Sequence, residues 1–523
     1  MRILIIYPEN QVAGKKPTAI PLLSAILKTK GHEIDFIDTS QFNQSDFFDK
    51  GITGNGSLGK PNYFMKTSNT SIKHRRFTTP IVDEINHRLM SFGPEVILVS
   101  GATIAFHHAR KILSRIETDI PVIYGGYHTV GNSEEAISHP DIKAICIEEG
   151  EESLVELLSK MEKGQYYYDT PNFFFKDKSG AIIRNPRLPL RDNLDDLPFL
   201  DYSIFDSNYH FWRVFRGRYY RMGDIVHSRG CYSRCSYCFY DKYYEIFDEK
   251  KNILRAYSPK RIVEEIEYLS KNYNLDFIRV HSSDFFAQSE DYLSEFSRLY
   301  KMKVGLPNAV NGLIPMITRS KARMLRQMGC VNVSIGIETG NDEYRRKILN
   351  KHFTNENVVK KVGYLLAEGI RVTTSNMIFL PEETREMIFE NIKLHKKAKI
   401  ELMDYNSFYP FPGLTITKYC KEKDLLTEEP STDIVFGCES VLKGNYSKEE
   451  QIGLLRTIYL YKEFPRIMWG LVKVAESNSR KGDYIQNILH NAFHLYKYGL
   501  DFEQKRNFLV RKYRNFRDRT THL

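Results

Sequence analysis

The stretch Cys231-Tyr232-Ser233-Arg234-Cys235-Ser236-Tyr237-Cys238 decides how the rest of this 523-residue chain is read. Its C-x3-C-x2-C spacing sets three thiols on one short loop. Thiolates placed this way suit one face of an iron–sulfur cluster, and three of them leave one iron of a four-iron cluster without a protein ligand. Structural zinc is the competing reading, because His227 lies four residues before Cys231 and would complete a Cys3His set. The motif alone does not separate the two readings, so the flanking sequence has to.

Residues 224–228 read as a strand leading into the cysteine loop. Beyond the loop, helices at 258–271, 290–300, 318–328, 355–368 and 383–398 alternate with strands at 277–281, 304–309, 331–337, 370–379 and 402–408. Six strand–helix units over 221–430 predict a partial parallel (β/α)6 barrel, with reactive groups at the carboxyl ends of the strands. Those ends carry His281-Ser282-Ser283-Asp284, then Gly336-Ile337-Glu338-Thr339-Gly340 followed by Arg345 and Arg346, then Phe379-Leu380-Pro381-Glu382-Glu383-Thr384, and finally Tyr409-Pro410-Phe411-Pro412-Gly413.

On the amino-terminal side, residues 1–165 alternate too. Strands are expected at 3–7, 32–37, 95–100, 121–124 and 142–147, with helices at 18–30, 81–92, 105–116 and up to 163, and an irregular insertion at 40–75. The pattern predicts an α/β, doubly wound, Rossmann-like parallel sheet. Ligands of such sheets sit beyond the carboxyl ends of the strands. The candidate loops are Ser100-Gly101-Ala102-Thr103, Gly125-Gly126-Tyr127-His128-Thr129 and Glu148-Glu149-Gly150. The glycine pair reads either as a turn or as room for a bulky ligand against the backbone.

Residues 166–220 read as a linker containing a hairpin (172–175 and 182–184), prolines and carboxylates, then Arg213, Arg216, Arg218 and Arg221, which suit an anionic group or a solvated strand edge. From 431 to 523 the pattern is mainly helical, with helices at 447–463, 465–479 and 482–498. The basic end at 504–519 carries seven Lys or Arg against one Asp, and reads as a nucleic-acid tail or as a solvated helix whose Phe508, Leu509 and Phe516 pack inward.

Composition narrows the class. Seven cysteines, three in one motif and Cys146, Cys330, Cys420 and Cys438 dispersed, oppose a secreted disulfide framework and fit a reducing, cytoplasmic compartment. No run of about 18 apolar residues exists, so no membrane partner is expected. A net charge of +10 is compatible with nucleic acid, an anionic substrate or a basic surface.

The order of these motifs resembles the radical S-adenosylmethionine (SAM) superfamily, and with Ser100–Thr103, Gly125–Thr129 and the acidic turn after them, its cobalamin-binding branch. The resemblance spans residues 1 to about 430. It implies that Cys231, Cys235 and Cys238 hold a [4Fe–4S] cluster whose open iron chelates SAM. Tyr237 is implied to lie near the adenine, Glu338 to contact the ribose or amino group, and Arg345 or Arg346 to pair with the carboxylate. Asp284 is a further candidate at that site. Ser100, Gly101, Ala102, Thr103, Gly125, Gly126, Tyr127, His128 and Glu149 are implied to face cobalamin. Two departures stand out. No His follows an Asp by two positions, so the D-x-H-x-x-G cobalt-ligating signature is absent and a cobalt–His bond is not expected. The G-L-P-G-E-T motif appears with both glycines replaced, as Phe379-Leu380-Pro381-Glu382-Glu383-Thr384.

The implied activity is a cobalamin-dependent methyltransferase that uses a 5′-deoxyadenosyl radical on an unactivated carbon or phosphorus of a small-molecule, peptide or natural-product precursor, with flavodoxin or ferredoxin as electron donor. No catalytic side chain is assigned. The alternatives are ring contraction, cyclisation or rearrangement on the same architecture, modification of RNA, and a non-enzymatic zinc adaptor for nucleic acid. With Cys146 the single cysteine in the first 165 residues, a second N-terminal cluster is excluded, which counts against the tRNA-modifying pattern.

Overall fold

The structure is a computed structural model that describes residues 1–9, 17–42, 77–216, 218–247, 253–430, 441–444 and 446–498. Most of the insertion expected at 40–75, Cys438 and all of 504–519 lie outside these residues. The chain forms two compact units: residues 1–213 with 219–445, and 214–218 with 446–523.

In the first unit, the continuous apolar runs become central strands buried on both faces, as parallel sheets require, while the two edge strands are largely half-buried. The strands are β1 (Arg2–Tyr7), β2 (Glu33–Asp38), β3 (Val96–Ser100), β4 (Val122–Gly125), β5 (Ala144–Cys146), β6 (Phe173–Lys176) and β7 (Ile182–Arg184). Their order is β2-β1-β3-β4-β5-β6-β7. The pairings β1–β2, β1–β3, β3–β4 and β4–β5 are parallel. The order reverses beside β1, which opens a crevice at the carboxyl ends of β1 and β3. Ile6, Val99, Phe106, Ile112 and Tyr124 lie in the core between this sheet and its helices.

Two sequence expectations are corrected here. The hairpin expected in the linker extends the N-terminal sheet, because β6 runs antiparallel to β5 and β7 to β6. Phe173, Phe174 and Phe175 are all buried, and a solvated linker would leave those rings in water. Between β4 and β5 two short helices appear, Tyr127–Gly131 and Ser133–Ser138. Segments of five or six residues are too short to show a 3.6-residue period.

The second sheet contains β8 (Trp212–Phe215), β9 (Arg218–Val226), β12 (Phe277–His281), β13 (Asn308–Gly312), β14 (Cys330–Glu338), β15 (Arg371–Ile378) and β16 (Leu402–Ser407), in the order β16-β15-β14-β13-β12-β9-β8. From β9 to β16 the six strands pair in parallel, giving the expected open half-barrel. A small ribbon of β10 (Ser228–Arg229) and β11 (Arg255–Ala256) leads into and out of the cysteine region. The strand expected at 304–309 begins four residues late. The preceding helix runs to Lys303, Gly305 takes a left-handed φ of 67°, and Pro307 has no N–H to give a ladder, so pairing starts at Asn308.

Alternate residues of the strands face the outer helices. On β15, Val372, Thr374, Asn376 and Ile378 are buried, and Thr374 Oγ1 lies 2.8 Å from His395 of the helix Arg385–Lys397. Thr373, Ser375 and Met377 therefore point to the concave side.

The second unit contains helices Lys448–Glu463, Trp469–Glu476 and Arg480–Tyr498. Ser447 and Glu450 form a capping box at the first, and Leu454, Ile458, Val472, Ala475, Leu489 and Phe493 are buried.

Candidate functional site

The cysteine loop is held from several sides. Ser236 donates its N–H to the Leu349 carbonyl at 3.1 Å and its hydroxyl to the Ile348 carbonyl at 2.6 Å. Asn350 donates to the Arg234 carbonyl at 2.6 Å and Tyr244 to the Cys231 carbonyl at 2.8 Å. Cys238 is the N-cap residue of the helix Phe239–Ile246. Burial raises all three thiols, that of Cys238 to about 12; Cys231 lies in the field of Cys235, and Cys238 in that of both. His227 does not join them: its ring is fully buried, 4.8 Å from Phe285 and edge-on to Tyr292. Three thiols on one loop, with His227 packed away from them, fit a cluster with one open iron.

At the carboxyl end of β14, Glu338 adopts φ 69°. Its Oε1 accepts from the Tyr237 hydroxyl at 3.0 Å and from Lys351 Nζ at 3.0 Å, and Lys351 also reaches the Tyr237 hydroxyl at 3.1 Å. Burial opposes the charge on Lys351, but Glu338, Cys235 and Cys238 together hold its ammonium above the usual lysine value. Lys351 was not singled out from the sequence, where one lysine in a loop reads as solvated. The signal available was its place thirteen residues after Glu338, in the segment that also clamps the cysteine loop.

The other candidates at this site are placed differently. Arg345 is fully buried, and its guanidinium donates to the Thr339 and Phe353 carbonyls, Asn355 and Asp342. Those bonds use all its N–H groups on the turn after β14. Arg346 lies exposed on the helix Asp342–Lys347. Asp284 accepts from the N–H groups of Phe286 and Leu313, both at 3.0 Å, and from the Tyr232 hydroxyl at 2.9 Å. It thus ties the cysteine loop to the ends of β12 and β13, and burial raises its carboxyl to about 6.

The glycine loop of the first sheet meets this region. Tyr127 is 61% exposed, yet its ring centroid is 5.0 Å from Phe239, the residue after Cys238. The Tyr243 hydroxyl bonds Glu148, whose carboxyl burial raises to about 7. Glu149 takes Arg255 on both oxygens at 2.8 and 3.0 Å and Arg229 at 3.0 Å, while Arg229 also reaches Glu151 at 2.6 Å. Despite burial, these arginines hold the Glu149 carboxyl below its usual value. Glu149 is thus a clamp between the end of β5 and the β10–β11 ribbon that flanks the cysteine loop.

Loops after β3 and β4 touch directly. Gly101 donates to the Gly125 carbonyl at 3.1 Å. Gly126 has φ 110°, and a Cβ there would stand 2.5 Å from the Gly101 oxygen. Ala102, Gly126 and Tyr127 are exposed at the strand ends, with Ser100, Thr103 and Gly125 half-buried beside them. His128 turns away: it is fully buried, stacked on Phe106 at 3.9 Å, and pushed down to about 3 by burial and by Arg110. The open face fits a large ligand, and His128 does not present its imidazole there.

Residues 225–395 match the family described as the Radical SAM superfamily. An uncharacterized methyltransferase of Pyrococcus horikoshii is 24% identical over 71% of this chain and 79% of its own length. The anaerobic magnesium-protoporphyrin IX monomethyl ester cyclase of Rubrivivax gelatinosus is 22% identical over 79% of this chain and 68% of its own. Among solved structures, the radical SAM methyltransferase TsrM of Kitasatospora setae superposes with a TM-score of 0.59 at 17% identity, over 81% of this chain and 76% of that one. The cobalamin-dependent SAM radical enzyme OxsB gives 0.61 at 14% identity, over 99% and 75%. No helix among the described residues is long and apolar enough to cross a membrane. Residues 225–395 are thus a radical SAM domain with its cysteine loop at the mouth of a half-barrel, and the doubly wound sheet packed beside it gives the chain the fold of TsrM and OxsB.

Proposed function

We propose that this protein is a cobalamin-dependent radical SAM methyltransferase acting on a small molecule at a carbon or phosphorus that acid–base chemistry does not activate. One observation carries the reading: the glycine loop of the first sheet, through Tyr127, touches Phe239 next to Cys238, so two large cofactors held at these loops would share one cavity. When bound, the cluster and SAM supply a radical for hydrogen abstraction and cobalamin supplies a transferable methyl group.

Cys231, Cys235 and Cys238 would hold the cluster. Glu338 and Lys351 present a carboxylate and an ammonium beside it, suited to the amino-acid and ribose parts of SAM. Tyr237 orients both through its hydroxyl. The clamp of Glu149 and Glu151 with Arg229 and Arg255 ties the first sheet to the ribbon that flanks the cysteine loop, so that groups held at each would be positioned for reaction. Ala102, Gly126 and Tyr127 offer the open face for the corrin.

Anaerobic reconstitution with iron and sulfide, followed by absorption spectroscopy and product analysis, tests this. The expected result is about four irons per chain, corrinoid absorption, and both 5′-deoxyadenosine and S-adenosylhomocysteine formed with product. The cyclase relative keeps a second reading open, ring formation or rearrangement without methyl transfer, and 5′-deoxyadenosine without S-adenosylhomocysteine would favour it. A reconstituted chain with neither iron nor corrinoid sinks both.

A further inference from the structure

Strand register determines which side chains share the concave wall of the half-barrel. Gly336 of β14 is level with Ser375 of β15, and Ser375 with Asp404 of β16. A Cβ at Gly336 would stand 2.3 Å from Glu338 Oε1 and 2.9 Å from Lys351 Nζ, so that charged pair covers the wall at Gly336. Neighbouring strands lie about 4.8 Å apart, which puts Asp404 about 10 Å along the same wall from the pair.

The wall is open there. Met403 and Tyr405, the neighbours of Asp404 on β16, are buried, and the Tyr405 ring lies 6.5 Å from His395 of the outer helix. Asp404 and Asn406 therefore face inward with Ser375, and all three are exposed although each sits within a strand. Exposed positions on a concave face line a cavity rather than a core. Asp404 is hydrogen-bonded to the Asn406 side chain and the Tyr405 backbone; although it is open to the cavity, the surrounding wall takes water from its carboxylate and raises the carboxyl, and no cation among the described residues offsets that. Among the described residues it forms no ion pair, whereas Glu338 has Lys351.

We propose that Asp404, with Ser375 beside it, is the subsite that takes a cationic nitrogen of the substrate, a primary ammonium or a guanidinium, about 10 Å from the Glu338–Lys351 pair. This rests on the reading of that pair as part of the radical site. A carboxylate without a protein counter-charge on a cavity wall is neutralised by a substrate cation through charge-assisted hydrogen bonds. Neutral and anionic compounds would leave it uncompensated, so the subsite also selects against them.

The test measures binding of pentylammonium and butylguanidinium, with pentanol and pentanoate as neutral and anionic counterparts, to the reconstituted full chain saturated with SAM. The cations should bind about tenfold or more tightly than pentanol. Asp404→Asn should remove that preference while SAM affinity stays within about twofold, and Asp404→Glu, which keeps the charge, should retain it. Equal binding of pentanol and the cations to the unaltered chain overturns the proposal, and so does an unchanged preference in Asp404→Asn. A parallel loss of SAM affinity in Asp404→Asn overturns it as well, since Asp404 would then serve SAM itself. If the chain takes up no cluster, the radical reading fails, while the cation preference remains measurable on the apo chain.

Discussion

Lys351→Met removes the cation between the cysteine loop and the end of β14. Its ammonium lies 3.0 Å from Glu338 and 3.1 Å from the Tyr237 hydroxyl, and the two charged side chains are only 6% and 10% exposed. At that distance and an effective dielectric of about 20, their attraction is about 5 kcal/mol. Much of this offsets the desolvation of both charges, so the net worth of the pair is small. Removing one partner alone strands the other, which costs about 3–5 kcal/mol. Glu338→Gln should destabilise in the same sense, and the double variant should recover most of the loss, with a coupling of about 2–3 kcal/mol. Urea unfolding of the anaerobic apo chain measures this for the four proteins of the cycle. On the reconstituted chain, Lys351→Met should also weaken SAM binding by about tenfold or more. A single variant within about 1 kcal/mol of the unaltered chain, a coupling below about 0.5 kcal/mol, and unchanged SAM affinity would together refute the assignment of Lys351 to this site.

Alanine at Cys231, Cys235 or Cys238 should drop reconstituted iron from about four per chain to below about one, whereas alanine at the buried Cys330 or Cys420 should leave it unchanged. Gly126→Ala, with φ 110° and a Cβ 2.5 Å from the Gly101 oxygen, should cost about 1–3 kcal/mol and abolish corrinoid uptake; Gly180→Ala, also at positive φ but with nothing within 4 Å, isolates the conformational part. Glu383 accepts the Leu380 N–H at 3.2 Å, and burial raises its carboxyl from 4.5 to about 8. The folded chain therefore holds a proton that the unfolded chain releases between those values, so this contribution is full below pH 4.5 and is lost as pH rises to about 8. The loss should be on the order of a few kcal/mol, and Glu383→Gln should remove that part of the slope in denaturation measured across pH.

Some of the site was legible because it is contiguous. The three cysteines and Tyr237 stand within eight residues, and the alternation of strands and helices carries its own period. The late start of β13 shows the limit of that signal, since a left-handed glycine and a proline move the strand without changing the apolar pattern. Arginines near Glu338 could be named but not oriented. Whether Arg345 faces a ligand or the carbonyls of Thr339 and Phe353 depends on how the turn closes over it. Glu149 and His128 were placed with the cobalamin loop on proximity in sequence, and the fold commits one to Arg255 and Arg229 and stacks the other on Phe106.

The thiol triplet, the two α/β segments, the helical end and the resemblance to a cobalamin-binding radical SAM enzyme were all readable from the residues in order. All are carried by local spacing, and backbone periodicity is a local property. What stands opposite what came from the folded chain. Lys351 reaches Tyr237 across 114 positions of chain and Arg255 reaches Glu149 across 106, and that Asp404 has no counter-charge among the described residues is seen only once β16 is laid beside β15. Pairings of this kind come from register and packing between distant strands, and charge compensation depends on those distances.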